Sequence, residues 1–226
     1  MQSPIEIEHS YSAIPYVILN KLNSLPDTVA CDFEAALRYR PDELEAWKLQ
    51  LEEDKELSQA DRIAINARLK ATALSHPFHV VLTHFSIAWS DHEAFVAILE
   101  TKKARDVVLQ WLVTTDRLQI WHNASFDFKH IYYHTRKFPL RFEDTQLLAK
   151  TLVNHVDVWR AKVGLKELAE HVYGGWGVSS ELFTLANLRD KVLLKYAGVD
   201  ACATFWLYEA IKKKLAKEKQ DDHKKT

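Results

Sequence analysis

The stretch Thr28-Val29-Ala30-Cys31-Asp32-Phe33-Glu34-Ala35 decides how the rest of the chain is read. Val29, Cys31 and Phe33 alternate with Ala30, Asp32 and Glu34, the period of two expected of a strand. Asp32 and Glu34 are two apart, so both carboxylates project from one face. Held together in a partly buried place, two such groups repel each other and keep their protons, unless a divalent cation neutralises them. That makes the pair half of a metal site, although an exposed strand with two solvated acids has the same pattern.

Upstream, residues 1–27 form a mixed lead-in whose apolar stretch, Ile14 to Leu19, is expected to pack on the domain. Downstream, residues 41–76 are dense in charge, with Leu44, Trp47 and Leu51 at helical spacing, and predict a two-helix insertion after the first strand. Val80 to Trp89 and Ala94 to Leu99 then read as two strands of a hairpin extending the first one. Ala104, Val107, Val108, Trp111 and Leu112 recur at one helical face that should cover the sheet. Leu118 to His122 predicts a short strand, with Ser125 as N-cap of a helix reaching about Lys137. Phe142 to Leu148 begins the next element, followed by helices near Leu165 to Tyr173 and Arg189 to Lys214. Gly174, Gly175 and Gly177 lack the Lys-Ser/Thr of a phosphate loop and read as a turn. Residues 215–226 are a charged, fraying tail.

Two further elements carry chemistry. His122-Asn123-Ala124-Ser125-Phe126-Asp127 spans a strand-to-helix junction and puts Asp127 in a first helical turn, where the helix dipole favours an acid whatever its function. Tyr196-Ala197-Gly198-Val199-Asp200 lies in an apolar helix, and the spacing of four puts phenol and carboxylate on one face. Val192, Ala203 and Leu207 flank that face and predict that it points inward, where a carboxylate needs a partner such as a cation.

Composition narrows the class. A chain of 226 residues with 47 % hydrophobic residues is the size of one α/β domain. A net charge of −1 gives no global attraction to nucleic acid, so any such binding needs local groups such as Arg136, Lys137, Arg141, Lys162 and Lys166. The two cysteines, Cys31 and Cys202, are too few for a disulfide framework and suit a reducing cytoplasm. No stretch of about eighteen apolar residues exists to span a bilayer, and no signal peptide is expected. Trp111, Trp89 and Trp121 sit in helical or strand patterns and read as core. His130 and His134 have zinc-pair spacing but no suitably placed third ligand.

In order and context the three acidic elements resemble the DEDD 3′ to 5′ exonucleases, in the variant with a tyrosine. The signature is acid-x-acid on a first strand, Asn-x-x-Phe-Asp at a strand-to-helix junction and Tyr-x3-Asp on a late helix. Asp144-Thr145 and Leu165-Lys166-Glu167-Leu168-Ala169 also look like stretches of the proofreading domains of family A DNA polymerases. The resemblance covers roughly residues 28–212. It implies a ribonuclease-H-like fold, a mixed central sheet flanked by helices, with the insertion at 41–76 as a departure from the family.

The resemblance also implies a mechanism. Asp32, Glu34, Asp127 and Asp200 would hold two Mg²⁺ or Mn²⁺ ions, and Tyr196 would orient the attacking water. Phe33, Asn123 and Phe126 become candidates for contacts around the terminal nucleotide. The expected reaction is hydrolysis of single-stranded DNA from its 3′ end. Because no polymerase domain follows the third motif, the chain is expected to act alone or to proofread beside a polymerase made as a separate chain, as in some bacteriophages. Two alternatives stand beside this: an RNase D-like exoribonuclease, and an inactive exonuclease fold retained as a polymerase-binding module.

Overall fold

The computed structural model describes residues 6–37, 58–60, 77, 80–152, 163–174 and 185–223. The insertion expected over 41–76 lies outside the described residues except for 58–60, as does Lys162. The strands are β1 (Glu8–Ser12), β2 (Thr28–Leu37), β3 (Val80–Ala88), β4 (Glu93–Ile98), β5 (Leu118–Trp121) and β6 (Phe142–Asp144). The helices are α1 (Pro15–Asn23), α2 (Lys102–Thr114), α3 (Ser125–Thr135), α4 (Thr145–Thr151), α5 (Leu165–Tyr173) and α6 (Lys191–His223).

The six strands of the described residues form one sheet in the order β1-β4-β3-β2-β5-β6. β2, β3 and β4 pair antiparallel, whereas β1 joins β4, β5 joins β2 and β6 joins β5 in parallel. The sheet is therefore mixed, with β2 near its centre. The tight Ser90–His92 turn makes the β3–β4 hairpin, and longer crossovers through helices supply the parallel partners.

The period of two in β2 divides the molecule. Val29, Cys31 and Phe33 belong to a core that includes Ile18 and Leu22 of α1, Val108 and Leu112 of α2 and Ile131 of α3. Phe33 lies between Phe85 and Trp121, at ring separations of 5.0 and 6.1 Å. Ala30 faces the opposite layer, with Ala201 and Cys202 of α6 and Tyr173 of α5. Each fully buried large side chain in these layers contributes about 1.5–3 kcal/mol by leaving water. Asp32 and Glu34 share the face of Ala30 and so look toward α6, not toward solvent.

Two expectations need correction. The helix α1 of the lead-in packs Ile18 and Leu22 into the core as expected, but the strand of Asp32 is not the first, because the lead-in also supplies an edge strand of the sheet, β1. Its sequence, Glu-His-Ser-Tyr-Ser, lacks the branched apolar alternation that marks a strand. Ser125 is not an N-cap; Ala124 holds that position without a side-chain bond, and the Ser125 hydroxyl donates to Asn123 Oδ1 at 3.0 Å. Thr101 and Asp144 cap α2 and α4 with their side chains.

Candidate metal centre

A register shift lies on β2 between Glu34, paired with His84, and Ala35, paired with Leu82. Thr83 has no strand partner there; its hydroxyl donates to the Glu34 carbonyl at 3.0 Å. Bulges of this kind re-aim nearby side chains, and this one sits under one of the acids.

Ligand atoms of Asp32, Glu34 and Asp200 all lie within 4.8 Å of one another. Asp32 and Glu34 come from β2, and Asp200 from α6, which crosses the same face. Among the described residues no other set of His, Cys, Asp and Glu meets this condition. Glu34 and Asp200 are buried and Asp32 is half-buried.

Burial holds the Asp32 carboxyl well above the usual carboxylate range, and repulsion from Glu34, Asp200 and Asp127 pushes it further. Glu34 is raised for the same reasons, burial first and then Asp200. The Lys166 ammonium opposes both shifts. Hard oxygen donors clustered this closely, three carboxyls facing one ammonium, fit a divalent cation such as Mg²⁺ or Mn²⁺.

Asp127 stands at the margin of this cluster, buried in the first turn of α3. Its Oδ1 accepts from the Phe33 backbone N–H at 3.2 Å, which ties α3 to the strand of Asp32 and Glu34. Burial lifts its pKa to about 8, against the pull of that bond and of its own backbone N–H. The local chain has reason to turn here. Asn123 adopts a left-handed conformation, φ 58°, one that Asn tolerates better than most residues. Asp144 holds the turn, accepting from the N–H groups of Asn123 (3.1 Å) and Ala124 (2.9 Å) while its Oδ1 accepts from Gln146 N–H (2.8 Å) at the start of α4.

Tyr196 is buried one turn before Asp200 in α6. Lys166 Nζ donates to its phenol oxygen at 2.5 Å and lies 4.5 Å from its ring centre. The face that carries Tyr196 and Asp200 is inward, with Leu193, Leu194, Ala197 and Ala201 buried around it, but Val192 is 57 % exposed and marks its edge. Lys166, a candidate for phosphate attraction by its charge, contacts Tyr196 instead, which the sequence does not signal. Positions thirty apart on different helices give no such signal. The role of Asp144 was equally hidden, although its Asp-Thr pair stood out.

The three candidates for substrate contact divide. Phe33 has its ring in the core and its N–H on Asp127. Asn123 is exposed beside the centre, and Phe126 is half-buried with its ring 4.8 Å from that of His130. His130 is buried, and neither it nor His134 belongs to a metal-binding cluster among the described residues. Trp111 and Trp121 are core residues, and both cysteines are buried and free. No helix among the described residues is long and apolar enough to cross a membrane.

Comparison with known proteins adds the following. The sequence pattern of the 3′–5′ exonuclease family matches residues 72–216, which include Asp127, Tyr196 and Asp200. The match starts after the strand of Asp32 and Glu34. No curated protein matches in sequence. Among solved structures, the chain is similar to Brucella melitensis NrnC with bound Mg²⁺ (TM-score 0.57, 17 % identity, covering 98 % of this chain and 86 % of that one). It is similar to the catalytic core of Trypanosoma brucei RRP6 (TM-score 0.61, 10 % identity, 94 % of this chain and 49 % of that one). It is also similar to Escherichia coli RNase D, an exoribonuclease involved in structured RNA processing (TM-score 0.55, 16 % identity, 95 % of this chain and 46 % of that one). The mixed six-stranded sheet with helices on both faces is the ribonuclease-H-like fold of these DEDD nucleases.

Proposed function

Because the chain belongs to the 3′–5′ exonuclease family, we propose that it hydrolyses single-stranded DNA from its 3′ end and proofreads beside a DNA polymerase made as a separate chain. The observation that carries the reading is the convergence of Asp32, Glu34 and Asp200 from two elements distant in sequence, with Asp127 tied to the same strand and Tyr196 one turn away.

Enzymes of this family work with divalent metal ions. Asp32, Glu34 and Asp200 would hold one and Asp127 would support a second. Bound there, the ions supply an acidified water and charge stabilisation for the leaving 3′ oxygen. The protein's own groups do the remaining work. A phenol is a poor base at neutral pH, so Tyr196 acts by orienting the water that attacks phosphorus. Asn123, exposed at the turn before α3, can donate to and accept from the terminal nucleotide, and Phe126 flanks it. The two buried free cysteines suit a reducing cytoplasm.

DNA is preferred because Asn123 to Asp127 and Asp144-Thr145 resemble polymerase proofreading domains. The second reading, an exoribonuclease, is favoured by the fold shared with RNase D. The two are separated by end-labelled DNA and RNA of matched sequence, incubated with Mg²⁺ or EDTA, with Asp32→Ala and Asp200→Ala alongside. A metal-dependent ladder from the 3′ end of DNA, reduced about 10³-fold in both variants, supports the proposal. Faster shortening of RNA supports the second reading. No ladder on either, from folded protein, leaves the binding-module alternative.

A further inference from the structure

Residues 128–142 run Phe-Lys-His-Ile-Tyr-Tyr-His-Thr-Arg-Lys-Phe-Pro-Leu-Arg-Phe. The stretch contains Lys129, Arg136, Lys137 and Arg141 and no acid, in a chain whose 31 Asp and Glu outnumber its 30 Lys and Arg. The fold gathers its rings on one surface. Tyr132 and Phe138 stack with centroids 4.9 Å apart and planes 17° apart. Phe138 lies 6.1 Å from Phe128, which meets Phe142 edge-on at 4.6 Å. Arg136, at the left-handed C-cap of α3, sets its guanidinium 5.8 Å from the ring centres of both Tyr132 and Tyr133.

This surface is open: Tyr132 is 43 %, Phe138 51 %, Phe142 46 % and Leu140 64 % exposed. Among the described residues Asp106, Asp116 and Glu143 border it, and the Asp116 backbone carbonyl accepts from Arg141 at 3.1 Å. Asp106 is engaged by Lys102 at 2.6 Å, and Glu143 follows Phe142 on the edge strand. Aromatic faces interleaved with cations match single-stranded nucleic acid, in which bases stack and phosphates pair with Lys and Arg. Protein interfaces also favour Tyr, Phe and Arg but are depleted of Lys, so Lys129 and Lys137, in a stretch with no acid, favour a phosphate-bearing strand as the occupant. The platform is also within reach of the metal centre. At about 1.5 Å rise per residue, Tyr132 lies roughly 8 Å, and Arg136 roughly 14 Å, along α3 from Asp127.

We propose that the surface around Tyr132, Phe138 and Arg136 is a second binding site, which takes upstream nucleotides of a single strand whose 3′ end occupies the centre at Asp32 and Asp200. This rests on the exonuclease reading, but its readout is binding.

The test uses the full chain in EDTA, with fluorescence anisotropy of 5′-labelled DNA and RNA 12-mers, and hydrolysis of a dinucleotide with Mg²⁺ in parallel. Tyr132→Ala/Phe138→Ala should weaken 12-mer binding about tenfold, as loss of base stacking does, and leave dinucleotide hydrolysis unchanged. Arg136→Ser/Lys137→Ser should reduce the slope of log K against log salt by about 1.4, the value for two lost phosphate contacts. The DNA and RNA arms decide which strand it prefers. Unaltered 12-mer affinity in both variants overturns the proposal. So does a wild-type protein that dimerises in sedimentation velocity while the aromatic variant is monomeric, which would make the patch an interface between copies. A wild type that cleaves nothing, yet loses 12-mer binding in the variants, supports the platform and removes the exonuclease reading.

Discussion

Lys166 Nζ donates to the phenol oxygen of Tyr196 at 2.5 Å while lying 4.5 Å from the centre of the same ring. An ammonium has three donors and no acceptor, so the tyrosine oxygen accepts here and must direct its own hydrogen to another group. Lys166 thereby fixes which way the phenol donates. Its charge also opposes the rise in proton affinity of Asp32 and Glu34, so it faces the carboxylates as well.

Lys166 is therefore a positioning residue, and Lys166→Met keeps much of its stem while removing the donor. We expect kcat to fall about tenfold or more, the cost of a hydrogen bond to a charged group, with KM nearly unchanged. Lys166→Arg should recover part of the loss. Steady-state kinetics on a short oligonucleotide measures this, and a rise in KM at constant kcat would assign Lys166 to phosphate binding instead.

The acids make stability depend on pH and metal. Asp32, Glu34 and Asp127 hold protons more tightly in the folded chain than in the unfolded one, for which ordinary values are about 4. Their contribution is thus fully present below about pH 4 and is lost as pH rises through the folded values, about 8 for Asp127. Metal-free protein should melt lower at pH 8 than at pH 5. Mg²⁺ or Mn²⁺ at a hundred times its Kd should add about 2.7 kcal/mol, or roughly 5–10 °C, at pH 8 and less at pH 5. Asp32→Asn should raise the metal-free Tm at pH 8 and remove most of the metal increment. Calorimetry at the two pH values decides this, and a metal-independent Tm would count against a cation site.

Much of the fold and the site can be read from local pattern, and what cannot be read is non-local. The alternation in β2 and the helical stripe of α2 each carry their own period, so both elements appear in the sequence, and with them the faces of Asp32, Glu34 and Trp111. β1 does not appear, because Glu8-His9-Ser10-Tyr11-Ser12 owes its strand conformation to pairing with β4 and not to propensity. Ser125 has the chemistry of a cap but loses that place to Ala124, because Asp144, twenty residues on, ties the Asn123 turn from outside. The Lys166–Tyr196 contact exists only once α5 packs on α6. Val192 follows the same reasoning: helical spacing placed it beside Tyr196, but only tertiary packing decides where the buried face ends.

Asp144 serves two elements at once, capping α4 and holding the backbone of Asn123 and Ala124. Asp144→Ala should cost about 2 kcal/mol, more than an isolated cap, because it strands donors in both. Thermal melting should show a loss of roughly 4–8 °C. The loosened Asn123 turn should raise KM more than it lowers kcat, which kinetics at saturating metal would reveal. A loss of stability with unchanged KM would confine Asp144 to a structural role.

Gly198 sits between Tyr196 and Asp200 where α6 crosses the sheet. A methyl group there would meet Ile7 Cδ1 at 3.3 Å, His9 Cβ at 3.5 Å and Ala94 Cβ at 3.7 Å. The nearest of these is the end of a flexible side chain, so Gly198→Ala should be tolerated, its crowding offset by about 1 kcal/mol of helix propensity. Gly198→Leu cannot be accommodated without moving α6 off β1 and β4, a strain of about 1–3 kcal/mol. Because Tyr196 and Asp200 ride on the same turns, the displaced helix should also lose activity, with kcat reduced about tenfold or more by misplacement of the carboxylate and the phenol. Melting and kinetics on the two variants test this together. Wild-type Tm and kcat in the leucine variant would show that close approach at Gly198 does not set the position of the centre.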